Sequence, residues 1–109
     1  MQKEYSALSV GLRLSDLELM AEVFSSFSEV EKCVLFGSRA KGTYRNGSDV
    51  DVALFGGNIS HTIARDISFV LNEESPLPYH FDIVVYNQIT NADLKEHIDR
   101  VGVVIYARQ

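Results

Sequence analysis

Gly37-Ser38-Arg39-Ala40-Lys41-Gly42-Thr43-Tyr44-Arg45-Asn46-Gly47-Ser48-Asp49-Val50-Asp51 links two short apolar stretches. Val34-Leu35-Phe36 leads into it, and Val50-Asp51-Val52-Ala53-Leu54-Phe55 leads out. Both stretches are rich in β-branched, aromatic and leucine residues and are bounded by Gly, Asn and Ser, so both read as strands. Successive side chains on a strand alternate faces, which puts Asp49 and Asp51 on one face, about 7 Å apart along the chain. Two carboxylates held that way repel each other unless a cation lies between them. Hard oxygen ligands select Mg²⁺ or Mn²⁺, and Mg²⁺ takes one or two protein carboxylates while water and substrate phosphate complete its octahedron. The acidic pair therefore calls for a phosphate-bearing partner.

Gly37 and Ser38 supply the other half of such a site. A glycine without Cβ tolerates a tight turn and lets the backbone approach a ligand closely. A short helix beginning near Ser38 would aim its free N–H groups at an anion. From Lys32 to Ser48 the basic residues are Lys32, Arg39, Lys41 and Arg45, with no acid among them, although the whole chain carries a net charge of -5. Ser38, Arg39 and Lys41, with the Gly37 backbone, are therefore the expected phosphate contacts. Each feature has an ordinary alternative: Gly-Ser as a simple turn, Asp-x-Asp as a solvated strand start, long basic side chains as loop surface. Their conjunction at one spacing is what points to chemistry.

Gly37-Ser38, ten residues, then Asp49-Val50-Asp51 resembles the signature of the polymerase β-like nucleotidyltransferase superfamily. GSRAKG followed by R-x-x-SDVD is more similar to its minimal nucleotidyltransferases than to its polymerases. The resemblance implies a nucleotidyltransferase fold and a third carboxylate on a later strand. Asp82, in His80-Phe81-Asp82-Ile83-Val84-Val85-Tyr86, is the candidate inside a strand pattern. An acid between Phe81 and Ile83 is costly to bury unless it is paired or metal-bound; the alternative is an edge strand with Asp82 facing water. In the superfamily this residue acts as general base or helps to hold metal, and sequence does not separate the two roles.

The implied chemistry is attack on the α-phosphate of ATP, with Mg²⁺ (or Mn²⁺) held by Asp49, Asp51 and Asp82. The chain has no residues left for a separate acceptor-binding domain. Minimal nucleotidyltransferases pair with a small helical HEPN-family protein, and in that pairing the nucleotidyltransferase is an antitoxin that attaches AMP to a tyrosine of the HEPN ribonuclease. The same role is expected here by resemblance alone, as is the preference for ATP. Two other readings stand beside it: a non-catalytic nucleotide-binding module of a two-protein complex, and a small-molecule nucleotidyltransferase working with a helper subunit.

The 109 residues suit one domain spanning 1–109, with 46% hydrophobic and 23% charged residues, as in ordinary globular proteins. The acidic balance argues against gripping duplex nucleic acid by its phosphates. Cys33 is the single cysteine, so no intramolecular disulfide is possible, and it reads as a small buried hydrophobe. Met1 to Leu14 lacks the apolar core of a signal peptide, and the longest apolar run, Val101 to Ala107, is too short to span a bilayer. A cytoplasmic location, with no membrane partner, is expected.

Ser15 and Glu18 have the spacing of a capping box, ahead of Leu17, Met20, Ala21, Phe24 and Phe27 on a helix running to about Ser28. Ile63, Ile67, Val70 and Leu71 mark a second helix from about Ser60 to Glu73, and Asn91 caps a third that carries Leu94, Ile98 and Val101 and stops at Gly102. With a final strand at Val103 to Tyr106, the fold class is α/β (α+β): a small mixed sheet with helices packed mainly on one face. His61, His80 and His97 share no ligand spacing; His80 has some prospect of touching the site, and His61 and His97 read as surface residues. Tyr44 reads as loop packing, with base stacking as the alternative.

Overall fold

The computed structural model describes residues 8–109. Residues 1–7, part of the stretch read for a signal peptide, lie outside the described residues. The strands are β1 (Lys32–Phe36), β2 (Val50–Phe55), β3 (Phe81–Val85) and β4 (Val103–Ala107), and the helices are α1 (Leu14–Ser25), α2 (Gly37–Lys41), α3 (His61–Phe69) and α4 (Ala92–Val101). The sheet order is β3-β2-β1-β4. β1 runs antiparallel to both β2 and β4, whereas β2 and β3 are parallel. A parallel pair cannot be joined by a hairpin, and α3 lies within the crossover.

Strand alternation divides β2 between two cores. Val50, Val52 and Leu54 join Leu17, Met20 and Phe24 of α1 and Ile67 of α3 in the larger cluster. Ala53 faces the other way, against Ile98 and Val101 of α4 and Ala40 of α2. The mixed sheet is as expected, and α1 and α3 supply the main helical layer. α4 and α2 cover part of the opposite face, where Asp51 also points. A register shift between Cys33 and Val34 adds an extra residue on β4, and this bulge lets Ile105 join the larger cluster while Val103 joins the smaller.

Three helix ends show local physics at work. α1 begins two residues earlier than a Ser15 cap would allow, with Arg13 as its N-cap. Asp16, at the third helical position, accepts the Arg13 N–H at 2.9 Å, so the box is built on Arg13 and Asp16 rather than on Ser15 and Glu18. Burial decides it: Asp16 is 1% exposed and also accepts the Tyr79 hydroxyl at 2.5 Å, whereas Ser15 and Glu18 face solvent. Ser60 caps α3 through Ile63 N–H at 3.2 Å. The helix then widens into a π turn over Val70–Glu74, where the Ser75 N–H donates to Val70 O at 2.8 Å. That turn aligns Asn72 with the outer edge of β3. Its amide donates to Phe81 O at 3.0 Å and accepts Phe81 N–H at 2.8 Å, which satisfies edge groups that would otherwise be open to pairing.

Candidate active site

β2 and β3 bring two of the acids together. In the parallel register Asp51 stands directly across from Asp82, and in the antiparallel register Phe36 stands across from Asp51. Asp49 lies just before β2, near enough for its charge to act on Asp51. The sequence placed Asp82 correctly within a strand, and both features of the alternative reading are present as well: β3 is an edge strand and Asp82 is exposed. Exposure does not separate it from the other acids. The Asp51 carboxyl titrates above the ordinary carboxylate range, first because burial desolvates it and then because the charges of Asp82 and Asp49 oppose its ionisation; His80 and Arg39 offset this only in part.

His80 does reach the site. Its Nδ1 lies 3.4 Å from Asp49 Oδ1, with both side chains more than half exposed. Among the described residues no three His, Cys, Asp or Glu side chains form a ready-made metal cage. A closed cage is not what Mg²⁺ requires, because it keeps waters and recruits substrate phosphate. The fit rests instead on charge: Asp51 faces Asp82 across β2 and β3, Asp49 lies just before β2, and burial together with these two neighbouring charges raises the proton affinity of Asp51. A divalent cation there would relieve that repulsion.

Gly37 opens α2 directly after β1 with φ +75°, and a Cβ built on it would overlap the Asp51 carboxylate. Glycine is therefore needed twice over, for conformation and for space. Its N–H donates to His97 Nε2 at 3.1 Å, and the imidazole meets Phe36 edge-on. His97 is thus half-buried beside the phosphate turn, which corrects its reading as a surface residue. The signal was present in the sequence: His97 sits three residues after Leu94 and four before Val101, on the apolar stripe of α4. Ser38 is half-buried within α2, and Lys41 is exposed at its end. Gly42 closes the helix in the left-handed conformation at φ +80°.

Arg39 lies near enough for its charge to act on Asp51, but its guanidinium is engaged with backbone carbonyls. The residue is 3% exposed, and its guanidinium donates to Val10 O at 3.1 Å, Gly11 O at 3.0 Å and Ser48 O at 3.0 Å. Tyr44 and Tyr79 pack against it at 5.4 and 5.1 Å from the ring centroids. Arg39 therefore ties the signature loop to the segment before α1, and an arginine engaged in this way is not free to reach a triphosphate. Tyr44 takes its loop-packing role as part of the same stack. The partners of Arg39 lie up to 29 residues away, so no local pattern announces them. His61 is exposed at the start of α3, and Cys33 is fully buried, its thiol pushed up by desolvation. A surface concavity of about 660 Å³ beside α4, lined by Tyr86, Lys95, Glu96, Asp99 and Arg100 among others, includes none of Asp49, Asp51 and Asp82. No helix among the described residues is long and apolar enough to cross a membrane.

Comparison with known proteins agrees with this geometry. Residues 18–109 match the family described as polymerase beta, nucleotidyltransferase. The Haemophilus influenzae protein named "Probable protein adenylyltransferase MntA" is 35% identical over 74 residues, covering 68% of this chain and 64% of the relative. The chain thus spans just under two thirds of that curated relative. Two solved structures share the fold. A toxin–antitoxin crystal structure with AMP-PNP superposes with a TM-score of 0.70 at 17% identity, covering 89% of this chain and 76% of the other. The Shewanella oneidensis MNT antitoxin, solved in complex with a tri-AMPylated HEPN toxin, gives a TM-score of 0.66 at 14% identity, covering 87% and 72%. With a family match over most of its length, and with the paired acids and the glycine turn placed side by side, the chain belongs to the polymerase β nucleotidyltransferase family.

Proposed function

We propose that this chain is a Mg²⁺-dependent protein adenylyltransferase that acts as an antitoxin, transferring AMP from ATP to a HEPN-family ribonuclease partner and so silencing it. The observation that carries the reading is the facing pair Asp51 and Asp82 with Asp49 beside them. Support for the substrate and partner comes from what the relatives are described as doing: the Haemophilus influenzae relative is named for protein adenylylation, and the Shewanella oneidensis structure holds an AMPylated HEPN toxin.

Asp49 and Asp51 would hold the metal, with Asp82 as a further ligand or as the base that takes the acceptor's proton. When bound, the metal supplies charge neutralisation at the triphosphate and a lowered pKa for the acceptor hydroxyl. The acceptor oxygen bonds to the α-phosphorus, the α–β anhydride bond breaks, and pyrophosphate leaves. The Ser38 hydroxyl and the backbone following Gly37 cradle the terminal phosphates, and Lys41 neutralises charge on the leaving group. Arg39 contributes by fixing the loop. A cytoplasmic setting fits this role, since ATP and a ribonuclease target would meet there.

Mass spectrometry of the HEPN partner after incubation with this chain and Mg-ATP is the test. The expected result is an added AMP mass on a partner tyrosine. An unmodified partner alongside released pyrophosphate would point to a small-molecule acceptor. An unmodified partner with no pyrophosphate would leave a nucleotide-binding module.

A further inference from the structure

The Gly37 turn is clamped from two sides by side chains distant in sequence. The Asp51 carboxylate occupies the space where a Cβ on Gly37 would lie, and Gly37 holds φ +75°. From the other side His97 of α4, 60 residues along the chain, accepts the Gly37 N–H on Nε2 at 3.1 Å. The imidazole is itself fixed by Phe36, with ring centroids 6.1 Å apart and planes at 81°. α4 is in turn anchored beneath by Ile98 and Val101, buried against Val34, Phe36 and Val103.

Two consequences follow from the chemistry of the acceptor. An imidazole nitrogen that accepts a hydrogen bond carries no proton, so this bond requires the Nδ1–H tautomer of His97. The Gly37 N–H, being engaged, is withdrawn from the set of donors that can meet a phosphate. We propose that His97 is a positioning residue for the nucleotide triphosphate: by taking the Gly37 N–H it holds the left-handed turn that presents Ser38 and the amides after it. The proposal rests on the acidic site being a nucleotidyltransferase centre. His97 touches neither substrate nor reacting atoms in this scheme, so its loss weakens nucleotide binding more than turnover.

The test uses the full chain. In ¹⁵N-labelled protein, a nitrogen–nitrogen coupling across the hydrogen bond between Gly37 N and His97 Nε2 is expected, with imidazole shifts of the Nδ1–H tautomer. Calorimetry with Mg-ATP and steady-state kinetics are then run on three variants. His97→Phe keeps the ring contact with Phe36 but cannot accept, and should weaken ATP binding and raise KM about three- to tenfold, the worth of one hydrogen bond, with kcat nearly unchanged. His97→Ala should do at least the same. His97→Gln, whose Oε1 can accept near the Nε2 position, should recover most of the affinity. An Nε2-protonated tautomer, or wild-type affinity in His97→Phe, overturns the proposal while leaving the nucleotidyltransferase reading intact. A wild-type chain that binds no Mg-ATP overturns both.

Discussion

Asp51 and Asp82 face each other in register across the parallel β2–β3 pair, and the charge of Asp82 adds to burial in raising the cost of ionising Asp51. Like charges directly opposite on neighbouring strands destabilise a sheet. The fold therefore carries a local electrostatic cost at the position where a metal and a triphosphate are proposed to bind.

That cost predicts a stability gain on removing the charge. Because the Asp51 carboxyl titrates above its unfolded value, its ionised form disfavours the native state, and the penalty grows as pH rises from the ordinary carboxylate range through the raised native value. Asp51→Asn should therefore melt above the wild type at neutral pH in chelator and lose nucleotide transfer. Adding Mg²⁺ should raise the wild-type melting temperature and leave the variant unmoved. Differential scanning calorimetry with and without Mg²⁺ reads both effects, and a variant less stable than wild type in chelator would contradict them.

Arg39 and Lys41 should separate structure from binding. Arg39→Met removes a guanidinium bonded to three carbonyls and packed between two tyrosines. Charged hydrogen bonds contribute about 1.5–3 kcal/mol each, so a loss of at least about 2 kcal/mol is expected in urea unfolding. Lys41→Ala, at an exposed position, should leave unfolding within about 0.5 kcal/mol of wild type and raise the KM for ATP.

Gly37→Ala meets both a left-handed φ and the Asp51 carboxylate. Strain at such a position costs about 1–3 kcal/mol. Displacement of the turn by about 1 Å would lower transfer about 100-fold. Activity near wild type in a folded Gly37→Ala protein would show that the turn does not set the site.

Acid should weaken the fold through Asp16. Burial works to raise its pKa, but the Tyr79 hydroxyl and the Arg13 backbone and side chain outweigh it and hold the carboxyl below its ordinary value of 3.8. The stabilisation is thus complete above that value and is lost as pH falls through the lower native one. Asp16→Asn should cost about 1–3 kcal/mol at pH 7 and flatten the decline of stability below about pH 4, as measured by urea titrations across that range.

Much of the arrangement was readable from sequence because it is local. The strands on either side of the signature, the helix starting near Ser60, the Asn91 cap and the stop at Gly102 all follow from short-range patterns, and the structure bears them out. The strand around Asp82 was legible from its apolar pattern, but its position at the sheet edge, with Asp82 exposed, is set by strand order and not by local sequence. The capping residue of α1 was not legible, since Asp16 is selected by Tyr79, 63 residues away. Arg39 looked like a phosphate ligand because local composition shows charge and not what that charge meets in space. His97 was visible in principle through the helical period of α4, but nothing local to it indicates that Gly37 lies opposite.

Transfer of labelled AMP from ATP to the HEPN partner, compared between the wild type and the Asp49→Asn, Asp51→Asn double variant, tests the central claim most directly. Wild-type labelling, with none above background from a double variant that keeps its native circular dichroism and still binds the partner, is the predicted result. Undiminished labelling by that double variant would contradict it.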